Sequence, residues 1–190
     1  MLSFRLRSIV TIAAVGVALL LLGASQSLAA KPSFTETYNI APQPCEGLDL
    51  AGVVYSFTVA GTPSLDCRAG TFVGPGTTND INPPNIEGTA AGVLHLRFDH
   101  PTTEFGFGVA LSTVISPQQN AVIVDLFRPG EGLLRQEVSL TETRDPLFVG
   151  GRFDYSGPAV LTVTIHFASG PFSRFAVDNV TYFRPPGQSD

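Results

Sequence analysis

Residues 94–99 have the sequence LHLRFD, in which apolar and polar side chains alternate at every position. Residues 161–167, LTVTIHF, repeat this alternation, and residues 105–111, FGFGVAL, set a third apolar row against glycines. A period of two is typical of β-strands that have one buried face and one solvated face. On this pattern His95 and His166 face solvent.

The chain from residue 34 onward keeps this period, with Gly, Pro, Asn and Asp between the apolar stretches and no amphipathic helical stripe. The predicted strands are residues 34–40, 53–60, 93–99, 104–111, 121–128, 133–141, 147–155, 160–168 and 173–183. Nine strands in about 150 residues suit a β-sandwich. We therefore predict one all-β domain, residues 30–183, followed by a polar tail, residues 184–190.

Residues 70–92 break the period, because they contain five Gly, three Pro and three Asn but few large apolar side chains. Long loops without secondary structure are usually functional or mobile. The side-chain oxygens of residues such as Asn79 and Asp80 could serve a ligand or a cation. The alternative is a mobile connection across the end of the sandwich.

The N-terminus predicts the compartment. Residues 1–29 have a basic start, a 14-residue apolar run at positions 9–22 and a small-residue end, which is the plan of a secretory signal peptide cleaved before Ala30. A retained membrane anchor is the alternative, but a bilayer span needs about 20 apolar residues. We expect a secreted or periplasmic protein that does not span a membrane.

Composition limits the partners. Charged residues make up 14% of the 190 residues, with 11 Lys and Arg against 16 Asp and Glu and a formal net charge of −5. Lys31 is the only lysine, and the arginines are scattered along the chain. Nucleic-acid binding needs a basic stripe, so we exclude nucleic acid as a partner.

Cys45 and Cys67 are the only cysteines and lie 22 residues apart on either side of a predicted strand. An oxidising compartment favours a disulfide between them. Two free thiols or a metal pair are the alternatives, but no His lies nearby in sequence and two Cys alone make an incomplete metal site.

No motif of a common enzyme class occurs in the sequence. His95, His100 and His166 are the only imidazoles, and a hydrolase would need one of them to meet a nucleophile and an acid in space. Acidic residues near strands are too many and too ordinary to indicate a glycosidase pair. We therefore expect no catalytic residues.

The last predicted strand contains the segment 174–182, RFAVDNVTY, in which Asp178 interrupts the apolar alternation. A buried acid without partners is costly. Asp178 therefore reaches solvent at a bulge, caps backbone N–H groups or is neutralised by a cation.

Several of these segments resemble known exported domains. Residues 175–180, FAVDNV, are similar to the closing strand of jelly-roll sandwiches of the carbohydrate-binding-module and galactose-binding-like type. Residues 52–57, GVVYSF, 96–101, LRFDHP, and 151–153, GRF, resemble the sandwich domains of exported bacterial proteins that carry a PEP-CTERM sorting tail. Residues 184–190 do not resemble that tail.

This resemblance implies an antiparallel jelly-roll β-sandwich of about nine strands. In the carbohydrate-binding relatives, an Asp that matches Asp178 helps to hold a structural Ca²⁺ with an acid from an early strand, for which Glu36 is the counterpart. Calcium needs about six to eight oxygens, so backbone carbonyls or water must complete such a site. The alternative is that Asp178 makes only local hydrogen bonds.

Two functions follow from these observations. The first is non-catalytic binding of extracellular or envelope polysaccharide, with Tyr38 and Tyr155 as aromatic contacts and Asn79 and Asp80 as polar contacts. The second is a structural or interaction role in the envelope or extracellular matrix, with a protein partner and no small ligand. The absence of Trp leaves a modest aromatic platform for the first.

Overall fold

The computed structural model describes residues 33–75, 77–112, 118–144, 147–168 and 172–183. The predicted signal peptide and the predicted polar tail lie outside these residues. Every regular element in the described part of the chain is a β-strand, and all pairings there are antiparallel. Within the same part, no helix has the length and apolarity that a membrane crossing requires.

The described residues form thirteen strands. Their bounds are β1 Ser33–Glu36, β2 Gln43–Pro44, β3 Asp49–Leu50, β4 Val53–Val59, β5 Thr62–Pro63, β6 Cys67–Thr71, β7 Asn85–Thr89, β8 Gly92–Ser112, β9 Gln118–Arg128, β10 Gly132–Leu140, β11 Glu142–Arg144, β12 Phe148–Phe167 and β13 Arg174–Phe183. The all-β antiparallel sandwich predicted from the sequence is confirmed. Its strands are more numerous than expected because several are only two or three residues long.

Two long strands, β8 and β12, belong to both layers of the sandwich. Residues 92–98 of β8 and 162–167 of β12 lie in the front sheet, whose order is β4-β8-β12-β9-β10. Residues 104–112 of β8 and 148–156 of β12 lie in the back sheet, whose order is β12-β8-β13-β7-β6-β2. Strand β1 pairs with the far end of β13 and extends the back sheet.

The core lies between these two sheets and is rich in Phe. The ring of Phe175 in the back sheet stacks on Phe167 of the front sheet at a centroid distance of 4.0 Å and lies 5.7 Å from Phe57. Phe98 of the front sheet meets Tyr182 of the back sheet at 5.5 Å. The apolar rows predicted from the three alternating segments are buried here, except for half-buried residue 161.

The points where β8 and β12 change sheets coincide with predicted strand breaks. Pro101 lies between Phe98, the last β8 residue paired with β4, and Thr102, which pairs with Val160. In β12 the register shifts between Ser156 and Val160. Proline cannot donate to a ladder, and here it stands where the strand leaves one sheet for the other. The sequence therefore predicted four separate strands where the structure has two continuous strands, β8 and β12.

The structure corrects the prediction of a loop over residues 70–92. Strand β7, Asn85–Thr89, lies inside this stretch and pairs with β13. The first predicted strand is also shorter than expected, since β1 ends at Glu36 and Tyr38 has a left-handed φ of 50°. A left-handed residue interrupts the regular pleat, and here no pairing of β1 continues beyond it.

The predicted disulfide is confirmed. Cys45 and Cys67 are bonded, their Cα atoms lie 5.4 Å apart, and both side chains are fully buried. The backbone N–H of Cys45 also donates to the carbonyl of Cys67 at 2.9 Å. Closing this 22-residue separation constrains the unfolded chain by about 3 kcal/mol.

Candidate functional site

The outer surface of the front sheet, called the front face below, is built from outward-facing residues of five strands. The pairing register aligns them in three rows across the sheet. The rows are Thr58-Val93-His166-Ile123-Glu137, Ser56-His95-Thr164-Asp125-Arg135 and Val54-Arg97-Thr162-Phe127-Leu133. The alternation of residues 94–99 and 161–167 correctly predicted which of their side chains lie on this face.

One side of the front face carries a hydrogen-bonded carboxylate, Asp125, which with its partners is called the Asp125 clamp below. Asp125 accepts two hydrogen bonds from Arg135, both at 2.7 Å, and a third contact from Nε2 of His166 at 3.1 Å. The hydrogen bonds from Arg135 lower the pKa of Asp125, and the charge of Arg135 and the contact with His166 add to this. Asp125 is therefore ionised and already neutralised by its own neighbours.

His95 lies in the middle of the same face between two threonines. Its Nε2 lies 3.1 Å from the hydroxyl of Thr58, and its Nδ1 lies 3.4 Å from the hydroxyl of Thr164. Burial lowers the pKa of His95, and the neighbouring His166 lowers it further. The imidazole is therefore neutral near pH 7.

These contacts place His95 and His166 each beside only one of the groups that a hydrolase needs. His95 meets hydroxyls and His166 meets a carboxylate, but no imidazole in the described part of the chain has hydrogen bonds to both. A triad requires one imidazole to bridge the nucleophile and the acid. The described imidazoles of the front face therefore do not form a triad.

The third row, called the recognition row below, differs from the other two. Phe127 and Leu133 are 50% and 59% exposed and lie opposite each other on β9 and β10. Next to them, Thr162 and Arg97 have side chains with no hydrogen bond or ion pair to any described residue. The row therefore presents an apolar surface followed directly by unpartnered polar groups.

The outer surface of the back sheet is closed by the chain itself. Residues 72–75 and 77–84, called the covering segment below, lie across it, and Ile81 packs there in a fully buried cluster with Ala110 and Ala176. Gly108 makes room for the segment, because a Cβ at this position would collide with the backbone carbonyl of Asp80. The described part of the expected loop is thus packed against the sheet, and the ligand contacts expected of its polar residues stay predictions.

Asn79 and Asp80, predicted as polar ligand contacts, lie in this covering segment. The backbone N–H of Asn79 donates to Glu142 at 3.1 Å, and the carbonyl of Asp80 accepts from the side chain of Asn179 at 3.0 Å. Burial raises the pKa of Asp80. Both residues lie on the opposite layer from the front face, and their backbones help to hold the cover in place.

Asp178 lies beneath the covering segment and is fully buried. Its Oδ2 accepts a hydrogen bond from the backbone N–H of Asn82 at 2.6 Å, whereas its Oδ1 is buried without a hydrogen-bond partner among the described residues. Burial raises the pKa of Asp178 to about 6, and the charge of Glu36 also raises it. The unpartnered oxygen is the kind of atom that a cation would satisfy.

Glu36 lies on β1 opposite Val180, so it and Asp178 are on neighbouring strands. Its Oε1 accepts the backbone N–H groups of Thr37 and Tyr38 at 3.1 and 2.9 Å. Among the described residues, no group of three or more His, Cys, Asp or Glu side chains is placed to hold a metal. A cation here would need backbone carbonyls or water beside these two carboxylates.

The two tyrosines predicted as aromatic contacts are buried. Tyr38 is fully buried and its hydroxyl lies 3.0 Å from that of Tyr55, so it presents no ring face to a ligand. Tyr155 donates its hydroxyl to the carbonyl of Pro158 at 2.6 Å and lines a cavity of about 220 Å³ beside Glu104. For Tyr38 the prediction was wrong. The residue follows the end of β1, where the backbone leaves the extended conformation, and its ring lies in the core.

The aromatic side chain that is exposed on the front face, Phe127, was missed. It lies in the predicted strand 121–128, AVIVDLFR, whose apolar residues occupy both faces. Asp125 gives the signal that could have found it: a carboxylate that faces outward places residue 127 on the same side.

No family model matches the chain, and no curated protein matches its sequence. Solved structures do match. The K1 cleaved adhesin domain of Lys-gingipain from Porphyromonas gingivalis W83 has a TM-score of 0.52 at 13% identity, over 81% of this chain and 99% of that one. At this identity the similarity confirms the fold and says nothing of ligands.

Two weaker matches are a second adhesin domain and a carbohydrate-binding module. The K2 cleaved adhesin domain of Lys-gingipain has a TM-score of 0.48 at 10% identity, over 80% of this chain and all 100% of that one. A family 29 carbohydrate-binding module has a TM-score of 0.42 at 9% identity, over 80% of this chain and 91% of that one. The structural neighbours thus include adhesin domains and carbohydrate-binding modules.

Proposed function

We propose that this protein is a non-catalytic binding domain that recognises extracellular or envelope polysaccharide on its front face. The recognition row carries the proposal. Exposed Phe127 and Leu133 offer an apolar surface for the C–H face of a sugar ring, and Thr162 and Arg97 offer hydrogen-bonding groups beside it. A few polar groups next to an apolar surface are typical of a binding site that fixes the orientation of its ligand.

The geometry favours an extended ligand. The recognition row crosses five neighbouring strands, and strands lie about 4.8 Å apart, so the row is about 19 Å long. The covering segment closes the equivalent surface of the back sheet. A polymer chain laid across the strands of the front face therefore suits this surface.

Affinity electrophoresis in gels that contain soluble β-glucan, xylan, galactomannan or polygalacturonate tests the proposal. We expect at least one polymer to retard the wild-type protein, and Phe127→Ala to weaken this binding about tenfold or more. Phe72→Ala is the matched control, because Phe72 is also exposed but follows β6 in the back sheet. It should bind like the wild type.

Two results would overturn the proposal. One is a folded wild-type protein that no polymer retards, and the other is Phe127→Ala binding as tightly as the wild type. The first would favour the alternative role, an interaction protein of the envelope or matrix with a protein partner. The second would place polysaccharide binding away from the front face.

The proposed location is secreted or periplasmic. A disulfide such as Cys45–Cys67 is typical of proteins in oxidising compartments. Export through the signal peptide predicted at residues 1–29 would bring the chain there. Mass spectrometry of the secreted protein should find Ala30 as its first residue, and a protein that keeps residues 1–29 would contradict this.

We also propose a structural Ca²⁺ held by Asp178 and Glu36. The support is the buried, unpartnered Oδ1 of Asp178 and the second carboxylate on the neighbouring strand. A bound cation would satisfy this oxygen and neutralise a carboxylate whose pKa burial has raised. Its role would be to fix β1 and the covering segment to β13.

Thermal unfolding in CaCl₂ and in EDTA tests the calcium site. A ligand that binds only the folded state raises its stability, so calcium should raise the Tm of the wild type. Asp178→Asn should lose this shift, and Glu137→Gln, an exposed front-face acid, should keep it. Equal Tm values of the wild type in calcium and EDTA would leave Asp178 with local hydrogen bonds only.

A further inference from the structure

Arg97 differs from the other arginines whose side chains the structure describes. Each of the other five has a hydrogen bond or an ion pair: Arg68 with Pro42, Arg128 with Glu131, Arg135 with Asp125, Arg152 with Asp154 and Arg174 with Glu87 and Asp66. Arg97 has none among the described residues, although the chain as a whole has more acids than bases. Its guanidinium group is exposed on the front face.

The acids near Arg97 do not pair with it. Asp125 is already held by Arg135 and His166. Asp49 on β3 is in register with Val54, in Arg97's own row, but forms no ion pair with it. Glu137 lies two rows and three strands away. Asp99 follows on β8, but its carboxylate lies over the β3–β4 turn, where a Cβ added to Gly52 would be 3.4 Å from its Oδ2. Arg97 therefore presents five N–H donors to whatever binds the front face.

We propose that the front face recognises an acidic polysaccharide and that Arg97 binds a uronate carboxylate of the chain. This inference rests on the proposed polysaccharide function. The planar guanidinium fork matches a carboxylate with two parallel hydrogen bonds, which a neutral hydroxyl cannot accept in the same way. His95 and His166 do not compete for this role, because both are engaged with neighbouring side chains.

The register sets where the carboxylate lies relative to the apolar contact. Arg97 and Phe127 are in the same row with Thr162 between them, so their Cα atoms are two strand spacings, about 10 Å, apart. At this spacing, one sugar unit can lie on Phe127 while the carboxylate of a neighbouring unit reaches Arg97. A polymer or oligomer of uronic acid therefore suits both contacts at once.

Isothermal titration calorimetry with three uronate polymers tests this inference: polygalacturonate, alginate and glucuronoxylan, each beside its carboxyl-reduced form. At least one acid polymer should bind the wild type about tenfold more tightly than its reduced form, because hydrogen bonds between charged groups are stronger than those to neutral hydroxyls. Arg97→Gln should lose this difference without weakening binding of the reduced polymer. Arg97→Lys keeps the charge but lacks the planar guanidinium, so its affinity difference between acid and reduced polymer should lie between those of the wild type and Arg97→Gln.

Arg68→Gln is the matched control, because it removes the same charge from an exposed arginine on β6. Dextran sulfate distinguishes carboxylate recognition from general attraction to anions. Equal loss in Arg97→Gln and Arg68→Gln, or dextran sulfate binding as tight as the uronate, would overturn the inference. Acid and reduced polymers that bind equally would also overturn it and leave the proposed function standing, whereas no binding to any polymer would overturn both.

Discussion

The two outer surfaces of this sandwich are both formed by every second residue of their strands, but the front one is exposed and the back one is covered. On the front face, outward side chains meet one another and solvent, and Asp125 is neutralised by the exposed Arg135. On the back sheet, the covering segment buries the outward side chains, and Asp178 is left with one unpartnered oxygen. The comparison shows that outward orientation in a strand does not decide exposure, because another part of the chain can occupy the surface.

The cover should contribute strongly to stability, whereas the front face should contribute little. Ile81→Ala removes a fully buried side chain that packs on Ala110 and Ala176, and we expect it to lower the free energy of unfolding by about 2–5 kcal/mol. Phe127→Ala truncates a half-exposed ring on the front face and should cost well under that. Urea denaturation of both variants measures the difference, and similar losses would contradict the comparison.

The next largest loss of stability is expected at Gly108, which the covering segment approaches closely. A Cβ in Gly108→Ala would collide with the carbonyl of Asp80, so we expect a loss of about 1–3 kcal/mol. Gly150→Ala is the matched control on the same surface, since its Cβ would lie 3.4 Å from the nearest atom, an ordinary contact. Denaturation midpoints should fall for the first variant and stay near wild type for the second. Equal behaviour would mean that the segment is not seated on Gly108.

The strand pattern predicted the sandwich because a period of two, set by burial, is local in sequence. Residues 94–99 are an example, and their inward and outward sides are as predicted. The crossing of β8 at Pro101 was not predictable, since a proline that ends a strand and one that lies where a strand changes sheets look alike in sequence. Strand β7 was hidden for a similar reason, because its residues 85–89, NIEGT, lack a strong apolar row.

The candidate site was harder to predict because it depends on register between distant strands. Arg97, Thr162 and Phe127 come from three segments, and only the pairing of β8, β12 and β9 puts them in one row. Tyr38 failed as a ligand contact because nothing local shows that a left-handed residue turns its ring into the core.

The pH dependence of stability should differ between the two surfaces. Asp178, beneath the covering segment, should change the free energy of unfolding with pH more than Asp125 on the front face does. Its folded pKa of about 6 lies above the unfolded value near 3.9, so the folded state holds the extra proton between these pH values. The contribution of Asp178 to stability is therefore lost as pH rises from about 4 to 6, by about 1–2 kcal/mol after relaxation around the buried charge.

Asp178→Asn should remove this slope, since an amide oxygen can still accept from the N–H of Asn82 and carries no titrating proton. The measurement is the free energy of unfolding from pH 3.5 to 7.5 in EDTA, so that no cation neutralises the carboxylate. The difference between wild type and variant should decrease with pH. A flat difference would show that Asp178 has solvent access in the folded protein.

Asp125 on the front face should give the opposite slope and the smallest effect. Arg135 lowers its folded pKa, so its contribution is present above the unfolded value near 3.9 and is lost as pH falls through the lower folded value. Asp125→Asn should therefore be less stable than wild type at pH 7 by a small amount, because solvent screens the exposed Arg135. The gap should close below pH 4. Glu137→Gln removes a charge from the same face but leaves the Asp125–Arg135 pair intact, so its stability difference from wild type should not close at low pH. If the difference closes for both variants, net charge and not the Asp125–Arg135 pair sets the pH dependence.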